Sequence, residues 1–145
     1  MIFLKNNSEI EKLYYAGQIV KETLLMLEEH VVPGVTTLDL DKLAEEFILS
    51  KKSKPGFKGL YDYPSTLCTS VDDEVVHGLP NDKVLKEGQI LGIDVGSIYE
   101  DYYGDSSGYF SFSWDGECLA TEILYSGGTM DLTAYAFTDG FIFYG

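Results

Sequence analysis

The sequence predicts an α+β domain in which two helices precede an antiparallel sheet. Up to residue 56 the apolar residues recur with a helical period, and from Phe57 onward they form short runs separated by turns. A chain of 145 residues that is 45% hydrophobic is also large enough to bury one core. We therefore expect an antiparallel sheet backed by two helices.

Both helices have recognisable start and stop signals. Residues 8–11 match a capping box, and helically spaced apolar residues follow to about His30. Pro33-Gly34 ends this helix. Residues 36–39 predict the start of a second helix, which the Lys-rich segment 51–56 ends.

Strands are predicted in the second half of the chain. Residues 67–71 and 74–77 favour a hairpin around Asp72-Asp73. Residues 89–95 form an apolar run typical of a strand covered on both faces, and residues 102–112 are its expected antiparallel partner.

The composition changes after Phe112. Residues 1–112 are predicted to form one unit, whereas 113–145 is a Lys-free segment rich in Gly and aromatic residues. Gly127-Gly128 and Asp139-Gly140 are turn candidates there. We expect either a diverged or frameshifted end, or one or two hairpins able to pair with another chain.

Charge and cysteine content exclude several classes of function. The net charge is −14 and the chain has no Arg, which argues against nucleic-acid binding because phosphate contacts need clustered positive charge. Cys68 and Cys118 form no disulfide framework, and no apolar run approaches membrane-spanning length. These features predict a cytoplasmic protein without a membrane partner.

Asp94 and Asp105 are the strongest candidates for chemistry. If their strands pair about a turn between Tyr99 and Glu100, the two residues lie directly opposite, with Cβ atoms about 4.5–5.5 Å apart. Both carboxylates could then reach one divalent ion or bridge two. The alternative for any such pair is two strand-edge carboxylates bound by backbone amides or water.

A set of short motifs carries a family resemblance. The ordered motifs closely resemble type I methionine aminopeptidases of bacteria, and the match runs from residue 1 to about Phe112. Its elements include Val32-Pro33-Gly34-Val35-Thr36-Thr37, Tyr63-Pro64, Glu74-Val75-Val76-His77-Gly78, Ile93-Asp94-Val95-Gly96 and Gly104-Asp105.

The resemblance implies a fold, a reaction and roles for individual residues. It implies the first half of a pita-bread fold and the removal of the initiator methionine from nascent proteins, with two divalent metal ions (Co, Mn, Fe, Zn or Ni). Asp94 and Asp105 match metal ligands, and His77 matches the catalytic histidine that contacts substrate. The pocket for the methionine side chain is matched by Phe57, Tyr63 and Cys68.

Two departures from the family pattern occur inside the matched part. Asp62 stands where Gly is common, and Asp72-Asp73 replaces the usual Asn-Glu before Glu74. A further His and two Glu ligands that the resemblance implies have no counterpart in this sequence. A site with two Asp ligands is expected to bind metal weakly.

Three functions therefore compete. The first is a metal-dependent methionine aminopeptidase whose chain is expected to be incomplete and either weakly active or inactive. The second is a non-catalytic peptide-binding or assembly module of the same fold, which could self-associate through its exposed half-sheet. The third is a cation-binding structural domain, ranked last because its acids lack the spacing of an oxygen-cage loop.

Overall fold

The computed structural model of the chain describes residues 4–112 and 118–126. In it, two helices pack against a five-stranded antiparallel sheet. The chain order is α1 (Asn7–Glu28), α2 (Thr37–Ser50), β1 (Lys54–Pro55), a 3₁₀ helix (Leu60–Asp62), β2 (Leu67–Val71), β3 (Ile90–Tyr99), β4 (Tyr102–Phe112) and β5 (Cys118–Ser126). The predicted α+β class is confirmed. The turn candidates at 127–128 and 139–140 lie outside the described residues.

Helix α1 starts earlier than predicted. The capping box uses Asn6 and Glu9: the Asn6 side chain accepts from the Glu9 backbone N–H at 3.0 Å, and the Glu9 carboxylate accepts from the Asn6 backbone N–H at 2.8 Å. The capping box predicted at residues 8–11 is therefore wrong by two residues. Asn6 caps the helix because Glu9 lies three residues after it, the spacing that lets both groups bond reciprocally.

Helix α2 begins at the predicted place. The Thr36 hydroxyl accepts from the Asp39 backbone N–H at 3.1 Å and donates to the Asp39 carboxylate at 2.6 Å. No helix among the described residues has the length and apolar run needed to span a bilayer. Both helices instead bury one face against the sheet and each other, as amphipathic helices do.

Strands β3 and β4 form the central hairpin, in a different register from the one predicted. Asp94 lies opposite Ser107, and Asp105 lies opposite Gly96, so the predicted Asp94–Asp105 pairing is wrong by two residues. The turn residues are Glu100 and Asp101, with φ of +46° and +68°. Positive φ at both central residues matches the right-handed twist of the strands, which explains this turn.

The predicted hairpin of 67–71 with 74–77 is also wrong in its second strand. Strand β2 forms as predicted but pairs with β3, and residues 74–77 form a loop. The Glu74 carboxylate accepts from the Val71 backbone N–H at 2.8 Å. That N–H is therefore not available to a partner strand. Further along the chain, the Gly78 carbonyl accepts from the Thr69 backbone N–H at 2.8 Å.

The hydrophobic core lies between the helices and one face of the sheet. Leu67, Val71, Leu91, Ile93 and Val95 come from β2 and β3, and each is almost completely buried. They pack with residues of both helices and of the connecting loops, namely Ile19, Val20, Leu24, Leu27, Val31, Leu40, Ala44, Ile48 and Leu85, and with Phe110 of β4. Because side chains alternate along each strand, the opposite face is left to form a pocket.

Helix α1 crosses the sheet at Gly104 of β4. A Cβ atom on Gly104 would lie 2.6 Å from the backbone of Ala16 and Gly17, closer than atoms can approach. The Ser97 hydroxyl donates to the Ala16 carbonyl at 2.9 Å in the same contact. Glycine at position 104 therefore allows the helix backbone to lie directly on the sheet.

We expect Gly104→Ala to lower the free energy of unfolding by about 1–3 kcal/mol, because the new methyl group must push α1 away from β4. Gly17→Ala is the matched control. Gly17 lies on the helix side of the same contact, and no atom lies within 4 Å of the position that its new methyl group would take. Gly17→Ala should therefore raise the free energy of unfolding by about 0.5–1 kcal/mol. Urea unfolding followed by circular dichroism measures both. Equal stability of the two variants would contradict the close approach.

Candidate active site

One pocket on the sheet face opposite the helices contains every predicted site residue. Its volume is about 640 Å³. The lining residues are Phe57, Leu60, Tyr61, Tyr63, Cys68, Val76, His77, Asp94, Asp105, Ser106 and Ser107. The structure thus brings together residues that are spread over about fifty positions of sequence.

Strand register places the polar groups of the pocket. Cys68, Asp94 and Ser107 lie in one row across β2, β3 and β4. Asp105 is two residues from Ser107 along β4, so it lies on the same face and diagonal to Asp94. Diagonal neighbours have Cα atoms about 7–8 Å apart, within reach of side chains that converge on one ion.

The surroundings of Asp94 and Asp105 disfavour ionisation of both carboxyl groups. Burial raises the pKa of Asp94, and the like charge of Asp105 raises it further, whereas His77 and the Ser107 hydroxyl favour the ionised form. Burial also raises the pKa of Asp105, against a hydrogen bond from the Ser106 backbone. A divalent cation between the two carboxylates would relieve this repulsion.

The chemistry of these donors fits a divalent ion only in part. Carboxylate oxygens are suitable ligands for Mn²⁺ and similar ions. Among the described residues, however, no group of three or more His, Cys, Asp or Glu side chains is placed to hold a metal. Asp94 and Asp105 therefore provide part of a coordination sphere, and water, substrate or other protein groups would have to complete it.

His77 enters the pocket from the loop after β2. Its backbone is in the left-handed region, with φ of +56°, and its side chain is exposed. A non-glycine residue is unfavourable there, so the surrounding loop has to hold His77 in this conformation. The loop thus presents the imidazole on the same side of the sheet as Asp94.

Phe57, Tyr63 and Cys68 form one wall of the pocket. The Phe57 ring lies over Gly96, where a Cβ atom would come within 2.9 Å of it. Burial raises the pKa of the Cys68 thiol and also raises the pKa of Tyr63. Both groups are therefore neutral near pH 7, and the wall is suited to an uncharged side chain.

Several lining residues were not predicted from the sequence. Leu60 and Tyr61 reach the pocket from the 3₁₀ helix, Val76 reaches it from the loop after β2, and Ser106 and Ser107 lie on β4. For Ser107, the correct strand register would have been the signal. The sequence carries no periodic signal that would place Leu60, Tyr61 or Val76 in the pocket.

The two departures from the family pattern fall at left-handed backbone positions. Asp62 has φ of +63° and Asp72 has φ of +57°. Glycine or Asn is favoured in this region, which is a physical reason for a Gly at position 62. The Asp72 carboxylate accepts from the Ile90 backbone N–H at 3.0 Å and from the Gln89 side chain at 2.6 Å. Neither Asp62 nor Asp72 lines the pocket.

A comparison with protein families gives the class of this protein. The profile of metallopeptidase family M24 matches residues 11–125. Because that match covers most of the chain, the chain belongs to metallopeptidase family M24. Its members are peptidases that depend on metal, in agreement with the carboxylate pair of the pocket.

Several similar proteins are methionine aminopeptidases. The enzyme of Clostridium acetobutylicum is 49% identical over 112 residues, which are 77% of this chain and 45% of that protein. The chain thus spans less than half the length of this relative.

Solved structures show the same relationship. The crystal structure of methionine aminopeptidase from Rickettsia prowazekii matches with a TM-score of 0.74 and 39% identity, over 77% of this chain and 45% of that one. The enzyme from Thermotoga maritima gives a TM-score of 0.73 and 44% identity, over 75% and 44%. The described fold is the first half of a pita-bread fold, as the resemblance implied.

We expect Asp94→Asn to stabilise the metal-free protein by about 1 kcal/mol at pH 7, a usual size for removing an unfavourable functional group. The native pKa of Asp94 is raised, so the native state binds a proton more readily than the unfolded chain. Its ionisation therefore costs stability above the raised pKa. That cost disappears as the pH falls below the unfolded value of about 3.9.

Urea unfolding with a chelator at pH 7 and at pH 4.5 measures this effect, and the difference between Asp94→Asn and the wild type should shrink at the lower pH. Asp82→Asn is the control, because Asp82 is an exposed carboxylate outside the pocket. A wild type more stable than Asp94→Asn at pH 7 would contradict the unfavourable placement of the charge.

Proposed function

We propose that this pocket binds the N-terminal methionine of nascent proteins and takes part in its removal by metal-dependent hydrolysis. The observation that carries the proposal is the convergence of Asp94, Asp105 and His77 with an apolar wall in one cavity of about 640 Å³. Similarity to methionine aminopeptidases supports the same reaction and the same substrate class.

Asp94 and Asp105 would hold the metal. We propose a divalent ion, or a pair, of Co, Mn, Fe, Zn or Ni, because these ions accept carboxylate ligands. When bound, such an ion supplies Lewis acidity toward the peptide carbonyl. The raised pKa of both carboxyl groups makes binding of the ion dependent on pH, with weaker binding as the pH falls.

The remaining residues would bind and orient the substrate. The His77 imidazole can donate a hydrogen bond to the scissile carbonyl, which gains strength as negative charge develops there. Phe57, Tyr63 and Cys68 would contact the methionine side chain, since aromatic and sulfur groups suit a flexible thioether. The exposed mouth of the pocket would leave the rest of the peptide in solvent.

The proposed setting is the cytoplasm, where nascent chains are released. Cys68 is a buried free thiol, which is compatible with a reducing compartment. The proposed partners are peptides with an N-terminal Met, and neither nucleic acid nor membrane is a proposed partner.

Peptide binding without hydrolysis is the second candidate function. It is favoured by one observation: the described residues hold two carboxylates in the pocket but no larger set of metal ligands. A module of this kind would keep the apolar wall and could self-associate through the edge of its sheet.

Methionine release from a Met-Ala-Ser peptide in millimolar Mn²⁺ or Co²⁺ tests the proposal. We expect slow release that a chelator stops, that Asp105→Asn abolishes, and that His77→Ala lowers about 10²- to 10⁴-fold, the usual contribution of such a group. Calorimetry should show that His77→Ala retains metal binding whereas Asp105→Asn loses it.

Lys83→Ala is a control, because Lys83 pairs with Glu74 outside the pocket lining. Saturable binding of the peptide with no release and no metal binding would favour the second candidate. Failure to bind either metal or peptide would contradict both.

A further inference from the structure

The turn that carries His77 lies flat on strand β2. The Gly78 carbonyl accepts from the Thr69 backbone N–H at 2.8 Å, and the Gly78 N–H donates to the Ser70 hydroxyl at 3.3 Å. A Cβ atom at position 78 would lie 2.1 Å from the Thr69 carbonyl oxygen. Glycine therefore allows a backbone contact that any side chain would prevent.

The contact of Gly78 with β2 holds the backbone next to His77, which has an unfavourable conformation. His77 has φ of +56°, the left-handed region that is unfavourable for a non-glycine residue. The His77 side chain is exposed, as are those of Val75 and Val76 before it. Its position therefore depends on how the backbone of the turn is held rather than on side-chain packing.

The Tyr63 hydroxyl is a second side-chain group, besides the Ser70 hydroxyl, that reaches this backbone. It lies 2.8 Å from the Leu67 carbonyl oxygen and 3.3 Å from the Gly78 carbonyl oxygen. One hydroxyl proton is thus shared between the first residue of β2 and the residue after His77. The two carbonyl oxygens are thus bridged by one donor.

We propose that Tyr63 is a positioning residue for His77: its hydroxyl holds the Gly78 carbonyl beside β2 and so fixes the direction of the imidazole in the pocket. This role is additional to the contact that its ring would make with substrate. The proposal rests on the proposed function only in assigning a catalytic use to His77. The contact between Tyr63 and Gly78 is present whether or not the chain is an aminopeptidase.

The two histidines of the chain make a direct test possible. In a two-dimensional NMR spectrum at fixed pH, Tyr63→Phe should shift or broaden the ring signals of His77. His30 is an internal reference, since it bonds the Met26 carbonyl at 2.9 Å on helix α1, away from the pocket. His77→Asn and His30→Asn identify the two sets of signals.

Tyr61→Phe is the matched control for the loss of a hydroxyl. Tyr61 lines the same pocket two residues earlier, and it is 96% exposed. We expect no change in the His77 signals of this variant. Amide hydrogen exchange at Thr69 should accelerate about 2- to 10-fold in Tyr63→Phe, the effect of one ordinary hydrogen bond, and should stay unchanged in Tyr61→Phe.

Each outcome has a defined meaning. Unchanged His77 signals and unchanged Thr69 exchange in a folded Tyr63→Phe protein would overturn the proposal. Equal changes at His30 and His77 would also overturn it, because they would show a general loss of stability. These measurements need neither metal nor turnover, so failure of the aminopeptidase proposal would be seen separately, in the calorimetry and the release assay.

If the chain releases methionine, Tyr63→Phe should lower kcat more than it raises KM, since the ring that would contact substrate is kept. Addition of Tyr63→Phe to His77→Ala should then cause little further loss, because the group to be positioned is already absent. An additive loss in the double variant would contradict the role of Tyr63 in positioning His77.

Discussion

The pairing of β3 with β4 is the constraint on which the rest of the structure depends. It begins at Glu100 and Asp101, both of which adopt the left-handed backbone that a tight hairpin needs. That turn fixes which residues lie opposite one another, and it puts Asp94 and Asp105 on one face of the sheet. A shift by one residue would move every side chain of one strand to the other face and would separate the two carboxylates.

The same two strands serve both the core and the pocket because their side chains alternate. Ile93 and Val95 point to the helices and are fully buried, whereas Asp94 between them points to the pocket. Glycine at position 104 allows α1 to lie against the helix side, and glycine at position 96 allows Phe57 to lie against the pocket side. Packing on one face thus holds the acidic residues of the other in place, although their charges repel.

Local signals in the sequence were sufficient for the two helices and for the ranges of β2 and β4, but not for β1 or for the partner of β2. The spacing of apolar residues predicted α1 and α2, because amphipathic periodicity follows directly from burial on one side. Register was predicted less well. Tyr99, Glu100 and Asp101 contain no Asn-Gly signal, so the residue types did not show where the chain reverses. The predicted register of β3 and β4 was wrong by two residues. A shift by an even number leaves each side chain on the same face of the sheet, so Asp94 and Asp105 still share one face.

Predictions from β propensity were wrong where an exposed loop contains branched apolar residues. Val75 and Val76 suggested a strand, but they are 86% and 59% exposed in the loop that carries His77. The family resemblance named Phe57, Tyr63, Cys68, His77, Asp94 and Asp105, and the structure places these residues in one pocket with others that were not predicted. That Tyr61 and Val76 line the pocket could not be predicted, because it depends on how the 3₁₀ helix and the loop after β2 fold over the sheet.

We propose that Asp94 and Asp105 act together as one cation site. Paramagnetic broadening of NMR signals by substoichiometric Mn²⁺ tests this most directly, because the effect falls steeply with distance from the ion. We predict that signals of Cys68, His77 and Ser107 broaden first, and that the effect is lost in both Asp94→Asn and Asp105→Asn. Broadening centred on the exposed acids Asp72 and Asp73, with the pocket signals unchanged, would contradict the account.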